Sequence, residues 1–342
     1  MKAFGYRHPH PLDSDTGLEA VELPIPSATG EDLLVRVRAI SVNPVDTKVR
    51  QRAGGVEGVN DGYKILGWDA AGEVVAIGDG VTDFQVGDPV WYAGDLTRPG
   101  SNAEYQLVNQ KLVGRKPENL SFAQAAALPL TTITAWELLF ERLKLDPDAD
   151  LSQRKLLVIG AAGGVGSILL QLANHLTDIQ VVATASRPQT VEWVKRLGAD
   201  QVIDHSLPLS EALQQAGIEG ITDVASLTHS EHHWPEIAKL IAPQGQLALI
   251  DDAPSLDIMP FKQKSISVHW EFMFTRSLFN TPDKAKQQQL LNRVADLVES
   301  GAVITTADAH FGPITAKNLR RAHALLESGQ ARGKIVLEGF EN

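Results

Sequence analysis

Leu156-Leu157-Val158-Ile159-Gly160-Ala161-Ala162-Gly163-Gly164-Val165-Gly166-Ser167 is the stretch on which the fold turns. An apolar, partly β-branched run passes straight into glycine and alanine, and an apolar helical pattern follows. A strand that turns at once into a helix needs small residues at the corner. The same residues let the backbone approach a pyrophosphate, whose charge meets the N–H groups and the positive end of the helix dipole. Gly163 and Gly166 take the second and third glycine positions of such a loop, and Ala161 takes the first. The candidate phosphate-binding residues are therefore Ala161, Gly163, Gly164, Val165 and Gly166. A glycine cluster by itself is also what a tight packing turn requires, so its setting has to decide.

The setting is a strand–helix alternation. Lys155–Ile159 is a predicted strand, Gly164–His175 a helix, Gln180–Thr184 a strand and Pro188–Leu197 a helix. Strands at Gln201–Asp204, Thr222–Ser226 and Gln246–Ile250 follow, with helices at Leu209–Ala216 and Glu231–Ile241 between them, and Ser265–His269 is a candidate last strand. Such alternation implies βαβ units, a parallel sheet and right-handed crossovers. Upstream, to about Leu120, short strands such as Leu33–Ala39, Gly72–Ile77 and Pro89–Tyr92 alternate with Gly/Asp turns, as in a barrel or sandwich. Ser121–Arg142 predicts two helices separated by a proline, and the tail returns to helix, strand and a final strand at Lys334–Glu338.

A site for NAD usually places an acid at the end of the second strand, where it binds the ribose hydroxyls. Here that strand ends Val182-Ala183-Thr184-Ala185-Ser186-Arg187-Pro188, with no acid. A guanidinium can hold a 2′-phosphate by two hydrogen bonds, and Ser186 can add another. Ser186 and Arg187 thus point to NADPH, the competing reading being a solvated arginine at a helix start. His205, after the third strand, either flanks the adenine or its phosphate or is an ordinary surface histidine.

The bulk composition sets limits. The chain has 342 residues, enough for about two domains, and a net charge of −11 that argues against nucleic acid as the main partner. It has no cysteine, which removes disulfides, thiolate nucleophiles and every cysteine-based zinc site. The N-terminus MKAFGYRHPH lacks the apolar core of a signal peptide, and no apolar run is long enough to span a bilayer. The expected location is the cytoplasm, with no membrane partner.

Several further motifs stand in order along the chain: Ser41-Val42-Asn43-Pro44-Val45-Asp46-Thr47, Gly67-Trp68-Asp69-Ala70-Ala71-Gly72, Gly87-Asp88, Leu128-Pro129, Thr134-Ala135-Trp136, Leu197-Gly198-Ala199-Asp200 and Gly333-Lys334-Ile335-Val336-Leu337. With the phosphate loop, these make the chain resemble the medium-chain dehydrogenase/reductase superfamily over essentially its whole length. The resemblance is to the quinone oxidoreductase (zeta-crystallin-like) branch and its zinc-type alcohol dehydrogenase-like subgroup. It implies an α/β fold, a Rossmann-type doubly wound parallel sheet inserted in a GroES-like β-barrel catalytic domain. The catalytic domain would be residues 1–126 completed by 272–342, and the dinucleotide-binding domain residues 127–271. A homodimer formed through the sheet edge near Ser265–His269 is a further implication.

Zinc-dependent members of that superfamily carry cysteine where Asn43 stands, histidine where Trp68 stands and cysteine near Leu130. No metal is therefore expected. The histidine-rich run Thr228–His233 has no matching carboxylate or cysteine partner and reads as a loop entering a helix. Without a Lewis acid, reduction of an already electrophilic acceptor is easier than oxidation of an alcohol. The implied activity is hydride transfer from NADPH to a quinone or an α,β-unsaturated carbonyl. Asn43 and Asp46 are implied at the acceptor, Thr134 near the nicotinamide ribose, and Lys334 near the cofactor phosphates. Lys48 stands where many quinone reductases carry a tyrosine, and it, Tyr63, Tyr92 or water are the candidate proton donors. An enoyl-thioester reductase and a non-catalytic NADPH-binding protein are the competing readings.

Overall fold

The computed structural model describes residues 1–12 and 17–341. The chain divides into two compact units, residues 1–133 with 274–342 and residues 134–273. The resemblance implies a boundary at 126/127; the first division between the compact units falls inside the helix Pro129–Trp136.

The first unit opens with β1 (Lys2–Tyr6), β2 (Glu19–Glu22), β3 (Asp32–Val42) and the helix α1 (Pro44–Arg52). It continues through β4 (Lys64–Ile65), β5 (Ala70–Ile77), β6 (Pro89–Tyr92), β7 (Tyr105–Asn109) and β8 (Val113–Arg115), then α2 (Phe122–Ala126) and α3 (Pro129–Trp136). Asn43 starts α1 in an extended conformation, Pro44 occupies the first helical position where its missing N–H costs nothing, and the Asp46 side chain accepts the Asn43 N–H. Past α3 the helix widens into a π-helical stretch over Glu137–Arg142.

The second unit holds β9 (Lys155–Ile159), α4 (Gly164–Leu176), β10 (Gln180–Thr184), α5 (Pro188–Arg196), β11 (Gln201–Ile203) and α6 (Leu209–Gln215). Then follow β12 (Ile221–Ser226), α7 (Ser230–Leu240), β13 (Ile241–Leu249) and β14 (Ser267–Trp270). All pairings are parallel, in the order β11-β10-β9-β12-β13-β14. Counted within the unit this is the order 3-2-1-4-5-6 of a dinucleotide-binding sheet. Its inner strands are buried over most of their length and accordingly read as largely apolar runs, with Leu157, Val182, Val224 and Leu247 fully enclosed, while the edge strands β11 and β14 are partly exposed.

The chain then adds α8 (Thr275–Leu278), α9 (Lys286–Glu299), β15 (Ala307–His310), α10 (Ala316–Glu327) and β16 (Lys334–Glu338) to the first unit. There β16 pairs antiparallel with β3, Ile335 opposite Val42, and extends a seven-stranded sheet β15-β16-β3-β5-β6-β8 in which β7 also pairs with β3. A separate three-stranded sheet runs β2-β1-β4. The fold is the expected α/β one: a GroES-like β unit and a Rossmann-type parallel sheet.

Candidate functional site

In the second unit the strand order reverses between β9 and β12, and ligands of such sheets sit at the carboxyl ends beside that point. Three of the four glycines after β9 do different work. Gly160 has φ +80°, and a Cβ there would stand 2.8 Å from the Thr228 methyl, so the turn needs glycine for conformation and for space. Its N–H donates to Thr184 Oγ1 at 3.1 Å, tying the turn to the end of β10. A Cβ on Gly166 would lie 2.4 Å from the Ala161 carbonyl oxygen, so helix and loop can meet only without a side chain. A Cβ on Gly163 would meet nothing nearer than the Gly160 oxygen at 3.4 Å; bareness there leaves the loop surface open to an approaching group. Gly164 and Val165 form the first turn of α4, where amides have no intrahelical acceptor and the helix dipole favours an anion. Ser167 braces the turn: its hydroxyl donates to the Gly163 carbonyl at 2.7 Å and accepts the Trp193 indole N–H at 2.8 Å. Gly160 was not among the residues singled out in the sequence, although a glycine immediately after a buried strand was its signal.

Ser186, Arg187 and His205 are brought together at the ends of β10 and β11. All three are exposed, and Ser186 Oγ lies 3.5 Å from His205 Nε2. Arg187 precedes α5 in an extended conformation, its backbone tied to Thr190, and its side chain is exposed. The nearby carboxylate of Asp204 accepts the Ser206 N–H at 2.8 Å, a bond that pulls it below the usual carboxylate range.

In the first unit a second cluster is fully enclosed. Lys334, on β16, aims its ammonium at three acceptors: the Val42 carbonyl at 3.0 Å, Asp69 Oδ2 at 2.9 Å and Asn43 Oδ1. Asn43 in turn donates from Nδ2 to Asp69 Oδ2 at 2.8 Å, and Asp69 Oδ1 accepts the Leu130 N–H at 2.7 Å. Burial pushes the Asp69 carboxyl up, while the Lys334 charge and hydrogen bond and the Asn43 amide oppose the rise. Asp46 accepts the Asn43 backbone N–H at 2.7 Å through Oδ2. Its Oδ1 is buried without a hydrogen bond of ordinary geometry, and burial raises the group to about 7 against the Asn43 amide and Lys334.

This geometry corrects one expectation. Lys334 was placed near the cofactor phosphates, but all three of its donors are used inside the first unit and its side chain is buried, so it acts as an internal counter-ion. Asn43 and Asp46 do come together; Lys48 lies half-buried on α1, and Thr134 is buried in α3, within the second unit. Asp69, which holds the cluster together, was missed as a site residue, although it stands inside the quoted Gly67–Gly72 motif.

The cluster also decides how a zinc ion would fare. Its three ligand positions are filled by Asn43, whose amide is used on both sides, by Trp68, whose indole N–H donates to the Asp95 carbonyl at 3.2 Å, and by Leu130. None is a zinc donor, and a buried ammonium stands among them, so these residues do not fit the metal. Among the described residues no group of three or more His, Asp or Glu side chains is placed to hold a metal ion.

The comparisons agree with this architecture. Residues 29–129 match the alcohol dehydrogenase GroES-like domain, and residues 197–337 match the zinc-binding dehydrogenase family. The chain is 38% identical over 339 residues to a zinc-type alcohol dehydrogenase-like protein of Staphylococcus aureus (strain MSSA476), covering 98% of this chain and 99% of the relative. It is 31% identical over 347 residues to 2-methylene-furan-3-one reductase of Solanum lycopersicum, covering 98% of this chain and 79% of the relative. A crystal structure from Rhizobium etli CFN 42, described as a candidate zinc-dependent alcohol dehydrogenase, superposes with a TM-score of 0.95 at 52% identity, covering 100% of this chain and 99% of that one. The chain belongs to the medium-chain dehydrogenase/reductase superfamily of oxidoreductases, among its zinc-type alcohol dehydrogenase-like members.

Proposed function

We propose that this protein is a zinc-independent, NADPH-dependent reductase of electrophilic small molecules, quinones or α,β-unsaturated carbonyls. One observation carries the reading. Where zinc chemistry needs three ligands, this chain has a self-satisfied Asn43–Asp69–Lys334 cluster, so the acceptor must be one that accepts hydride without a Lewis acid. The reductase named for a methylene-furanone, itself an enone, supports that acceptor class.

The first-turn amides of α4 suit the pyrophosphate, with Ala161, Gly163, Gly164, Val165 and Gly166 forming the surface it meets. Ser186, Arg187 and His205 are the proposed readers of the 2′-phosphate, and Thr134 the neighbour of the nicotinamide ribose. When bound, the nicotinamide supplies the hydride. The protein's part is to hold the acceptor and supply a proton to the oxygen that gains charge. Asn43 is a positioning residue, since its side chain is committed to Lys334 and Asp69. Asp46 holds a proton near neutral pH, and Lys48 on the less buried face of α1 is the alternative donor. Among the described residues no helix is long and apolar enough to cross a membrane. A cytoplasmic homodimer built on the edge strand β14, where Trp270 is exposed, completes the proposal.

The test follows NADPH absorbance with quinones, enals, enones and enoyl thioesters side by side. Turnover of quinones or enones is expected; tight NADPH binding with no hydride transfer to any of them would sink the enzyme reading.

A further inference from the structure

The cofactor reading leaves the histidine-rich run Thr228–His233 unused, and the structure sets it beside the phosphate loop. The Thr228 methyl closes over Gly160, and the next residue, His229, starts α7. His229 has φ +51° and ψ +34°, a conformation uncommon for a residue with a side chain, and its Nδ1 lies 2.8 Å from Thr228 Oγ1. One turn on, His233 is buried, and its ring packs edge-on against His232 at 5.0 Å between centroids. His205, from the end of β11, faces the same group, with Ser186 Oγ 3.5 Å from its Nε2.

The charges around His205 are mixed. Partial burial holds its imidazole below the ordinary histidine range; Asp204 opposes this, and Arg187 and His229 add to it. His233 is held near 4 by burial and by His232, His205 and His229, with Asp251 opposing. Burial and the neighbouring positive groups therefore favour the neutral imidazole at His205 and His233 while no anion is present. A phosphate monoester reverses that balance, because it brings up to two negative charges to the Ser186–Arg187 side of His205.

We propose that His205 makes recognition of the 2′-phosphate proton-linked: NADPH binding draws one proton from solvent onto His205, which stands beside Ser186 and Arg187. The preference for NADPH over NADH then depends on pH. This rests on the NADPH reading above and adds its regulation. The sign follows from linkage. A group that binds its proton more tightly in the complex favours the complex most below its free value, and the advantage is lost as pH rises through the bound value. The second ionisation of the phosphate, near pH 6, works the other way, because it strengthens binding as pH rises. A fall in affinity above neutrality therefore cannot come from the ligand.

The experiment is isothermal titration of the full chain with NADPH and with NADH, from about pH 6.5 to 8.5, in buffers of different ionisation enthalpy. The expected result is uptake of up to about one proton with NADPH and none with NADH, and a fall of about tenfold in the NADPH/NADH affinity ratio across the range. His205→Gln should flatten the ratio, and His205→Arg, with a fixed charge, should flatten it at a high level. A wild-type preference for NADPH that ignores pH, without proton uptake, overturns the linkage but leaves the NADPH reading intact. Full pH dependence in His205→Gln also overturns it. No preference for NADPH at any pH overturns both.

Discussion

Replacing Lys334 by methionine tests the buried cluster directly. The substitution keeps the unbranched stem and removes the ammonium. The loss is then electrostatic: Asp69 Oδ2 keeps only the Asn43 amide at 2.8 Å, Asn43 Oδ1 and the Val42 carbonyl lose a donor, and all three groups stay enclosed. Removing one partner of a buried ion pair leaves an uncompensated charge and costs about 3–5 kcal/mol. Asp69 is already pushed up by burial, and without Lys334 it must rise further. A carboxyl raised in the folded state contributes most below its unfolded value and loses that contribution as pH climbs through the folded one. Lys334→Met should therefore unfold about 3–5 kcal/mol earlier in urea at pH 8 and recover part of the loss at pH 5. Lys334→Met combined with Asp69→Asn removes both charges and should regain more than half of the deficit at pH 8. A single variant within about 1 kcal/mol of wild type, or a double variant no better than the single, would refute the claim that Lys334 is an internal counter-ion.

Other outcomes follow from the same structure. Asp46, held near 7 by burial, should make the folded state lose up to about 4 kcal/mol between pH 4 and pH 8; in urea titrations Asp46→Asn should flatten that part of the profile. Arg187→Ala should weaken NADPH about tenfold to thirtyfold, as expected for loss of a charge-assisted contact at an exposed site, and leave NADH nearly unchanged; equal effects on both in fluorescence titrations would make Arg187 a bystander. Gly166→Ala drives a methyl to 2.4 Å from a backbone oxygen and should cost about 1–3 kcal/mol or more. Gly163→Ala, with 3.4 Å of room, should fold normally yet weaken the cofactor; thermal melts with and without NADPH separate the two.

What the sequence shows and what it hides divide along a physical line. The phosphate loop and the strands β9 to β12 are local: their periodicity and glycine spacing are set by neighbours along the chain, and they can be read there. The first half of β13 is hidden because Pro243-Gln244-Gly245 reads as a turn, yet the strand runs from Ile241 and absorbs them through a register shift against β12. The second of the two helices expected over Ser121–Arg142 changes to a π-helical stretch from Glu137, where the buried Glu137 shares Arg142 with Glu271, far along the chain. Lys334 shows the limit for site residues. A lysine on a short strand reads the same whether it reaches out to a phosphate or in to a carboxylate. The choice is made by the pairing of β16 with β3, which joins residues nearly the whole chain apart. Asp69 is hidden for the same reason: its partners arrive from α1, α3 and β16.

The central claim is that hydride moves from NADPH to an electrophilic acceptor without zinc. Stopped-flow oxidation of bound NADPH by a quinone and by an enone, using untagged protein of measured metal content, tests it most directly. The account predicts rapid oxidation by protein holding no stoichiometric zinc, with a chelator leaving the rate unchanged. One tightly held zinc per chain whose removal abolishes the reaction would contradict it.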